Sequence, residues 1–156
     1  MMAESAPGLV VHAPLAGRVL ALADLPDPVF AEAMVGPGLA IDPVARTGRI
    51  DVASPLAGKV GALHPHAFAV ETGGGAALVH LGLDTVTLNG APFTVRVNAG
   101  QAVGQGEIIV EWQIEEIGAL SPVVPVVALG ARHVALIAEP GTEIESGAPL
   151  FRIDDA

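Results

Sequence analysis

The chain has 156 residues, of which 51% are hydrophobic and 15% charged, so it can bury one sizeable core and is too apolar to be intrinsically disordered. Its 17 acidic and seven basic residues give a formal net charge of −10, which argues against nucleic acid as a ligand and favours a positively charged partner protein. The absence of cysteine excludes disulfides and thiolates, and no segment has the ~18 uninterrupted apolar residues of a membrane helix, so we expect no membrane insertion and a cytoplasmic location.

Short apolar runs separated by glycine and proline occur along the whole chain, and this pattern predicts an all-β protein. A short flexible N-terminus is expected over residues 1–8, followed by a single domain over residues 9–156. The one predicted helical segment covers residues 27–35, with Asp27 as its N-cap and Gly36 as its terminator. The predicted strands cover residues 9–12, 17–21, 39–43, 49–53, 58–63, 67–71, 76–83, 108–113, 123–128 and 150–153.

Two pairs of similar segments indicate an internal duplication. Ala-Pro-Leu-Ala-Gly at residues 13–17 is echoed by Ser-Pro-Leu-Ala-Gly at residues 54–58, and a glycine-bounded turn at residues 100–106 is echoed at residues 141–147. Both pairs are separated by 41 residues, as expected of repeated structural units. The turns resemble those of lipoyl and biotinyl carrier domains. We therefore predict a duplicated barrel-sandwich, that is, an antiparallel β-sandwich with short helical turns.

The most informative stretch is a predicted hairpin with a glycine-rich turn. A three-residue loop over residues 72–74 would place His66 directly opposite His80. Opposed residues of antiparallel strands have Cβ atoms about 4.5–5.5 Å apart, so the two imidazoles would converge on one face. Alternation along the second strand supports this register, because it points His80 outward and three aliphatic side chains inward. These three are Val79, Leu81 and Leu83.

Two converging histidines suit the nucleophilic transfer of a phosphoryl group. Neutral imidazole is a nucleophile near pH 7, and the phosphohistidine that it forms gives the group up readily. A second imidazole can donate a hydrogen bond to the phosphoryl oxygens and stabilise the charge that develops during transfer. The residues alone therefore predict a site at His80 and His66, with Asp84 close by in the sequence.

Four motifs carry a resemblance to a known family. They are APLAG at residues 13–17, DPVFAEAMVGPGLAI at residues 27–41, HAF at residues 66–68 and VHLGLDTV at residues 79–86. Together they resemble the glucose-class enzyme IIA component of the phosphoenolpyruvate-dependent sugar phosphotransferase system, over nearly the whole chain. The resemblance implies a phosphocarrier with an all-β fold.

The resemblance also implies roles for individual residues of the hairpin. His80 is expected to be phosphorylated on Nε2, and His66 to hold the phosphoryl group. The carbonyl of Gly82 is expected to accept a hydrogen bond from Nδ1 of His80, which fixes the tautomer that leaves Nε2 free. His64 stands where the family generally has threonine, so it is expected to support the site in a role that the sequence leaves open.

A docking face for proteins follows from the same resemblance. Asp27 and Asp84 match acidic residues that flank this face, Phe30 matches an aromatic residue within it, and Leu78 lies at its rim. The expected partners are the histidine phosphocarrier protein, which donates the phosphoryl group, and the enzyme IIB/IIC sugar permease, whose IIB cysteine receives it. The chain is expected to act as a monomer and to use no metal or organic cofactor.

A zinc-dependent hydrolase is the alternative function. His64 and His66 form an H-x-H pair, and His80 and Asp84 form an H-x-x-x-D pair, which resemble elements of lysostaphin-type peptidases. Those enzymes carry the two elements in the reverse order. The zinc ligands of such an enzyme would be His64, His66 and His80, whereas in a phosphocarrier His66 and His80 could still capture zinc adventitiously.

A lipoyl or biotinyl carrier is a third function class, suggested by the echoes and by the acidic charge. Such carriers need an exposed lysine at the tip of a hairpin. The chain has one lysine, Lys59, which lies inside a predicted strand. Its position argues against this class.

Overall fold

A computed structural model of the chain describes residues 8–154, so seven of the eight residues of the predicted flexible N-terminus lie outside it. Within that range, no helix is long and apolar enough to cross a membrane. The α-helix α1 spans Pro28–Ala31, and 3₁₀ turns occupy Leu22–Asp24, Thr85–Leu88 and Ile114–Ile117. The strands β1 to β14 span, in order, Leu9–His12, Gly17–Ala21, Gly38–Pro43, Arg49–Ala53, Gly58–His64, Ala67–Thr72, Gly75–His80, Phe93–Val95, Ala102–Val103, Ile108–Gln113, Val124–Ala128, Val134–Leu136, Glu143–Ile144 and Pro149–Ile153.

The strands of the described residues form three sheets. The largest has eight strands in the order β13-β2-β3-β11-β7-β6-β5-β9, and two smaller sheets have the orders β1-β14-β12 and β4-β10-β8. Neighbouring strands pair antiparallel in all three sheets. The prediction of an all-β antiparallel sandwich is therefore confirmed.

The predicted duplication is visible in the hydrogen bonds of the backbone. The N–H of Val19 donates to the carbonyl of Thr142 at 2.8 Å, and the N–H of Val60 donates to the carbonyl of Gln101 at 2.9 Å. The donors are 41 residues apart in sequence, and so are the acceptors. The same shift relates β1, β14 and β12 of one small sheet to β4, β10 and β8 of the other. The sandwich therefore consists of two equivalent units, one built from β4 to β10 and the other from β1 to β3 together with β11 to β14.

Reciprocal bonds between the two Pro-Leu turns join the two units. His12 donates its N–H to the carbonyl of Pro55 at 2.8 Å, and Ala53 donates to the carbonyl of Pro14 at 2.9 Å. Each bond is the counterpart of the other under the 41-residue shift, so the two echoed turns have the same backbone geometry where the two units meet. The echoes thus mark a structural duplication.

The eight-stranded sheet has apolar clusters on both faces. One face belongs to the main core of the sandwich, where Phe68, Val79 and Trp112 are completely buried. The other face is covered mainly by the β2–β3 connection, residues 22–37. We call the buried residues on this side the outer cluster, which consists of Leu22, Leu25, Phe30, Ala40, Leu83 and Val127.

The helix α1 begins as predicted but ends earlier. The side chain of Asp27 accepts the N–H of Val29 at 2.9 Å, which confirms the predicted N-cap. Ala33 ends the helix in a left-handed conformation with φ of 54°, and its N–H donates to the carbonyl of Phe30. The prediction that Gly36 terminates the helix is therefore wrong, because Ala33 accepts the left-handed conformation that closes this turn.

All ten predicted strands are present: four have the predicted bounds, five differ by one residue at one end, and β7 begins one residue earlier and stops at His80 rather than at residue 83. The sequence prediction missed β8, β9, β12 and β13, which have two or three residues each. Such short strands exist because they pair with distant strands, so they leave no alternating pattern. The three 3₁₀ turns were missed as well.

Candidate functional site

The hairpin of β6 and β7 differs from the prediction by one residue in register. Thr72 pairs with Gly75 across a two-residue loop, and Ala67 rather than His66 pairs with His80. The predicted three-residue loop and the direct opposition of the two histidines are therefore wrong. Two-residue loops are the commonest hairpin connections, and Gly75, which follows this loop, has a φ of 146° that favours glycine.

The two histidines converge by a different route. Their ring centroids lie 5.1 Å apart with the rings nearly perpendicular at 76°. His66 belongs to the turn between β5 and β6, so the alternation of side chains along a strand does not apply to it. Its carbonyl accepts the N–H of Leu81 at 2.7 Å, and this bond ties the turn to the chain just beyond His80.

The backbone after His80 holds its ring. Nδ1 of His80 lies 2.7 Å from the carbonyl oxygen of Gly82, so a protonated Nδ1 donates to it and Nε2 keeps its lone pair. Gly82 has φ of 83°, and a Cβ at this position would lie 2.6 Å from Cγ2 of Thr85 and 2.9 Å from the carbonyl oxygen of Ser121. This backbone position therefore requires glycine.

The alternation predicted for β7 holds as far as Leu81, one residue beyond the strand, and fails at Leu83. Val79 and Leu81 are completely buried in the main core, and Leu78 points to the opposite face, where it packs against the outer cluster. Leu83 is buried too, but in the outer cluster, which corrects its predicted place beside Val79 and Leu81. The cause is the positive φ of Gly82, which breaks the alternation.

The helix α1 brings an aromatic ring and a carboxylate to the site. Phe30 is 6% exposed, and its ring centroid lies 5.3 Å from that of His80. Asp27 lines a groove of about 450 Å³, and Asp84 lines the same groove together with residues 119–121. The sequence prediction identified both carboxylates but missed residues 119–121, because Ala-Leu-Ser belongs to no motif.

Burial and hydrogen bonding change the pKa of His80 in opposite directions. Burial lowers the pKa of His80 below its usual value of 6.5, and this is the largest effect. The hydrogen bond with Gly82 and the negative charges of Asp27 and Asp84 raise the pKa and oppose part of that decrease. The imidazole is therefore mainly neutral at pH 7, the state in which it acts as a nucleophile.

His64 extends the row of imidazoles towards solvent. It ends β5, is exposed, and has its ring centroid 5.8 Å from that of His66. Burial lowers the pKa of His66, and the nearby rings of His80 and His64 lower it further, because positive charges at neighbouring sites repel. His66 is thus kept neutral beside His80.

The alternatives to a phosphocarrier lack support in the geometry. Among residues 8–154, no group of three or more histidine, cysteine, aspartate or glutamate side chains is placed to hold a metal ion. His64, His66 and His80 therefore do not provide the ligand set of a lysostaphin-type zinc hydrolase. Lys59 lies within β5, where it pairs with Glu71 on one side and Ala102 on the other, and not in a hairpin turn as a lipoyl or biotinyl carrier needs.

Comparisons with known proteins agree on one class. A family model described as the phosphoenolpyruvate-dependent sugar phosphotransferase system, EIIA 1, matches residues 9–134. The glucose-specific EIIA component of the phosphotransferase system from Halalkalibacterium halodurans is 38% identical over 144 residues, which cover 88% of this chain and 81% of that protein. The solved structure of glucose permease IIA from Mycoplasma capricolum has a TM-score of 0.84 at 31% identity, covering 97% of this chain and 99% of the other.

These matches assign the chain to a class: it is a protein of a phosphotransferase system and has an all-β fold. More specifically, the chain belongs to the EIIA 1 family of the phosphoenolpyruvate-dependent sugar phosphotransferase system. Membership implies a part in phosphoryl transfer for sugar transport, and the predicted family resemblance is confirmed.

The carboxylate of Asp27 is predicted to raise the pKa of His80 through its charge. Asp27→Asn removes that charge, and asparagine still caps a helix, so the pKa of His80 should fall further while α1 remains. Titration of the imidazole by NMR measures this, with Asp24→Asn, a neighbouring exposed carboxylate, as the matched control. Equal pKa values in both variants and the wild type would contradict the prediction.

His64 is predicted to lower the pKa of His66. His64→Thr removes the neighbouring imidazole, so the pKa of His66 should rise towards 6.5. The same NMR titration tests this, and His133→Thr, which changes another exposed histidine, is the control. A pKa of His66 that does not move in His64→Thr would exclude an electrostatic role for His64.

Proposed function

We propose that the chain is a phosphocarrier that accepts a phosphoryl group on Nε2 of His80 and passes it to a sugar permease. The donor is the histidine phosphocarrier protein, and the acceptor is the cysteine of enzyme IIB. His66 holds the phosphoryl group by donating a hydrogen bond from its ring. Glucose, the sugar named for both relatives, is the first one to test.

The single observation that carries this proposal is the 2.7 Å contact between Nδ1 of His80 and the carbonyl of Gly82. A carbonyl can only accept, so the contact selects the tautomer with hydrogen on Nδ1 and the lone pair on Nε2. The lowered pKa of His80 keeps the ring unprotonated near pH 7. Both effects favour attack through Nε2, and uptake should decline with falling pH as His80 becomes protonated.

The proposed reaction consists of two displacements at phosphorus. In the first, the lone pair of Nε2 forms a bond to phosphorus, while the bond between phosphorus and the donor imidazole breaks and its electrons stay with the donor. In the second, the cysteine thiolate of enzyme IIB attacks, and the electrons of the N–P bond return to Nε2 of His80. Positioning and electrostatics supply the acceleration, and neither step needs a metal or an organic cofactor.

The surroundings of His80 suit proteins as partners. Val29 is 41% exposed and Val86 is 57% exposed, so apolar surface lies on the elements that carry the site. Asp27 and Asp84 add negative charge in the groove, which attracts basic side chains on both partners. Phe30, a member of the outer cluster, and Leu78, which packs against that cluster, support this docking face. We propose that the carrier docks there as a monomer in the cytoplasm.

Phosphorylation of His80 is tested directly by intact-mass spectrometry. The wild type, incubated with phosphoenolpyruvate, enzyme I and the histidine phosphocarrier protein, should gain one acid-labile phosphoryl group. His80→Ala should gain none, because the nucleophile is gone, while His133→Ala should gain one like the wild type. No gain in the wild type with partners of proven activity would refute the carrier function, and a gain in His80→Ala would refute the choice of nucleophile.

His66 is tested by separating the two transfer steps. His66→Gln keeps the nucleophile but alters the supporting donor, so His80 should still accept the phosphoryl group. Onward transfer to enzyme IIB should slow by about a hundredfold, the cost of losing one donor to a developing charge. Rapid-quench measurements of both half-reactions provide the rates. Complete loss of acceptance would show that the roles of His66 and His80 are misassigned.

A further inference from the structure

A buried hydroxyl lies directly behind the site. Thr85 has no exposed surface, and its Oγ1 donates to the carbonyl of Leu81 at 2.6 Å. Within residues 8–154 the completely buried polar side chains are Thr85 and Ser54. Burying a hydroxyl is unfavourable unless it is hydrogen-bonded, so the bond to Leu81 is a specific feature of this loop.

The backbone of Leu81 and Gly82 forms hydrogen bonds with both histidines. The N–H of Leu81 donates to the carbonyl of His66 at 2.7 Å, which places the turn that bears His66. The carbonyl of Gly82 lies 2.7 Å from Nδ1 of His80, which places the other ring. Thr85 bonds to the carbonyl between these two contacts. The Thr85 side chain therefore stabilises the backbone segment that is hydrogen-bonded to both histidines.

This segment has no strand ladder to hold it. β7 ends at His80, and two of the next four residues, Gly82 and Asp84, have positive φ values of 83° and 64°. The methyl group of Thr85 also contributes, because Cγ2 lies 2.6 Å from where a Cβ of residue 82 would be. The hydroxyl thus binds the loop from one side while the methyl group fills the space beside Gly82.

We propose that Thr85 is a positioning residue for phosphoryl transfer, because it fixes the Leu81–Gly82 backbone that sets the tautomer of His80 and the place of His66. This role rests on the proposed function of His80. Without the Thr85 hydroxyl, the carbonyl of Leu81 loses its partner in a dry site. The loop is then tied only through two N–H groups, that of Leu81 to His66 and that of Leu83 to the carbonyl of Ser121 at 3.0 Å, so the backbone between them can shift. The Gly82 carbonyl then turns away from Nδ1, and protonation of Nε2 competes with protonation of Nδ1.

Two substitutions at residue 85 separate the hydroxyl from the methyl group. Thr85→Val keeps the branched shape and removes the hydroxyl, whereas Thr85→Ser keeps the hydroxyl and removes the methyl group. ¹⁵N NMR of the ring nitrogens should show a single tautomer of His80 in the wild type and in Thr85→Ser, and a mixture in Thr85→Val. Phosphoryl uptake from the histidine phosphocarrier protein should fall about tenfold in kcat for Thr85→Val, with KM unchanged.

Ser54→Ala is the matched control, because Ser54 is equally buried and its Oγ donates to the carbonyl of Leu56 at 2.7 Å. It should lose stability as Thr85→Val does but keep the wild-type tautomer and kcat. If Thr85→Val does not fold, Thr85→Ala replaces it, because alanine also lacks the hydroxyl and is smaller than threonine.

A single wild-type tautomer and wild-type kcat in the hydroxyl-free variant would overturn the role of Thr85. Equal losses of kcat in that variant and in Ser54→Ala would overturn it too, because they would reflect stability alone. A wild-type protein that takes up no phosphoryl group contradicts the function of His80 instead. The tautomer measurement needs no partner protein, so it distinguishes the two failures.

Discussion

The pairing of β7 at the centre of the eight-stranded sheet is the constraint on which the site depends. β7 pairs with β11 on one edge and with β6 on the other, and its inward side chains Ala77 and Val79 are completely buried. Such a strand cannot shift without breaking two ladders of hydrogen bonds, so its last residue, His80, has a fixed position. Alternation then points His80 to the face that the outer cluster covers, where Phe30 lies against its ring.

The electrostatics of the site follow from this half-covered position. Burial beside Phe30 favours the neutral imidazole, while Asp27 and Asp84 limit how far the pKa of His80 falls. The same carboxylates repel a free phosphate anion. In the proposed reaction, a phosphoryl group approaches only with a partner whose basic side chains neutralise Asp27 and Asp84. In that reaction, the negative charge in the groove would favour a phosphorylated protein over small phosphates without a closed pocket.

Local patterns in the sequence predict the strands and the helix cap, because these depend on neighbouring residues. Asp27 and the ten longer strands are examples. The two-residue strands β9 and β13 depend on pairing with β5 and β2, so only the 41-residue echo hinted at their equivalence. The register of the β6–β7 hairpin depends on which glycines form the loop, and alternation alone could not decide it. The convergence of His66 and His80 was predicted for the wrong reason, since the bond from Leu81 to the turn of His66 cannot be read from spacing.

The duplication accounts for the arrangement of the strands, and the unequal connections between equivalent strands explain why the site forms in one place. Outward from the centre of the large sheet, β11-β3-β2-β13 and β7-β6-β5-β9 are equivalent series. Their inner connections differ: residues 22–37 join β2 to β3, whereas residues 65–66 join β5 to β6. The long connection supplies Asp27 and Phe30, and the short one supplies His66 close to the end of β7. Two connections of the same length and sequence would place equivalent groups in both units. The site therefore forms where the long β2–β3 connection, which covers the sheet, lies close to the two-residue β5–β6 turn, which leaves the sheet uncovered.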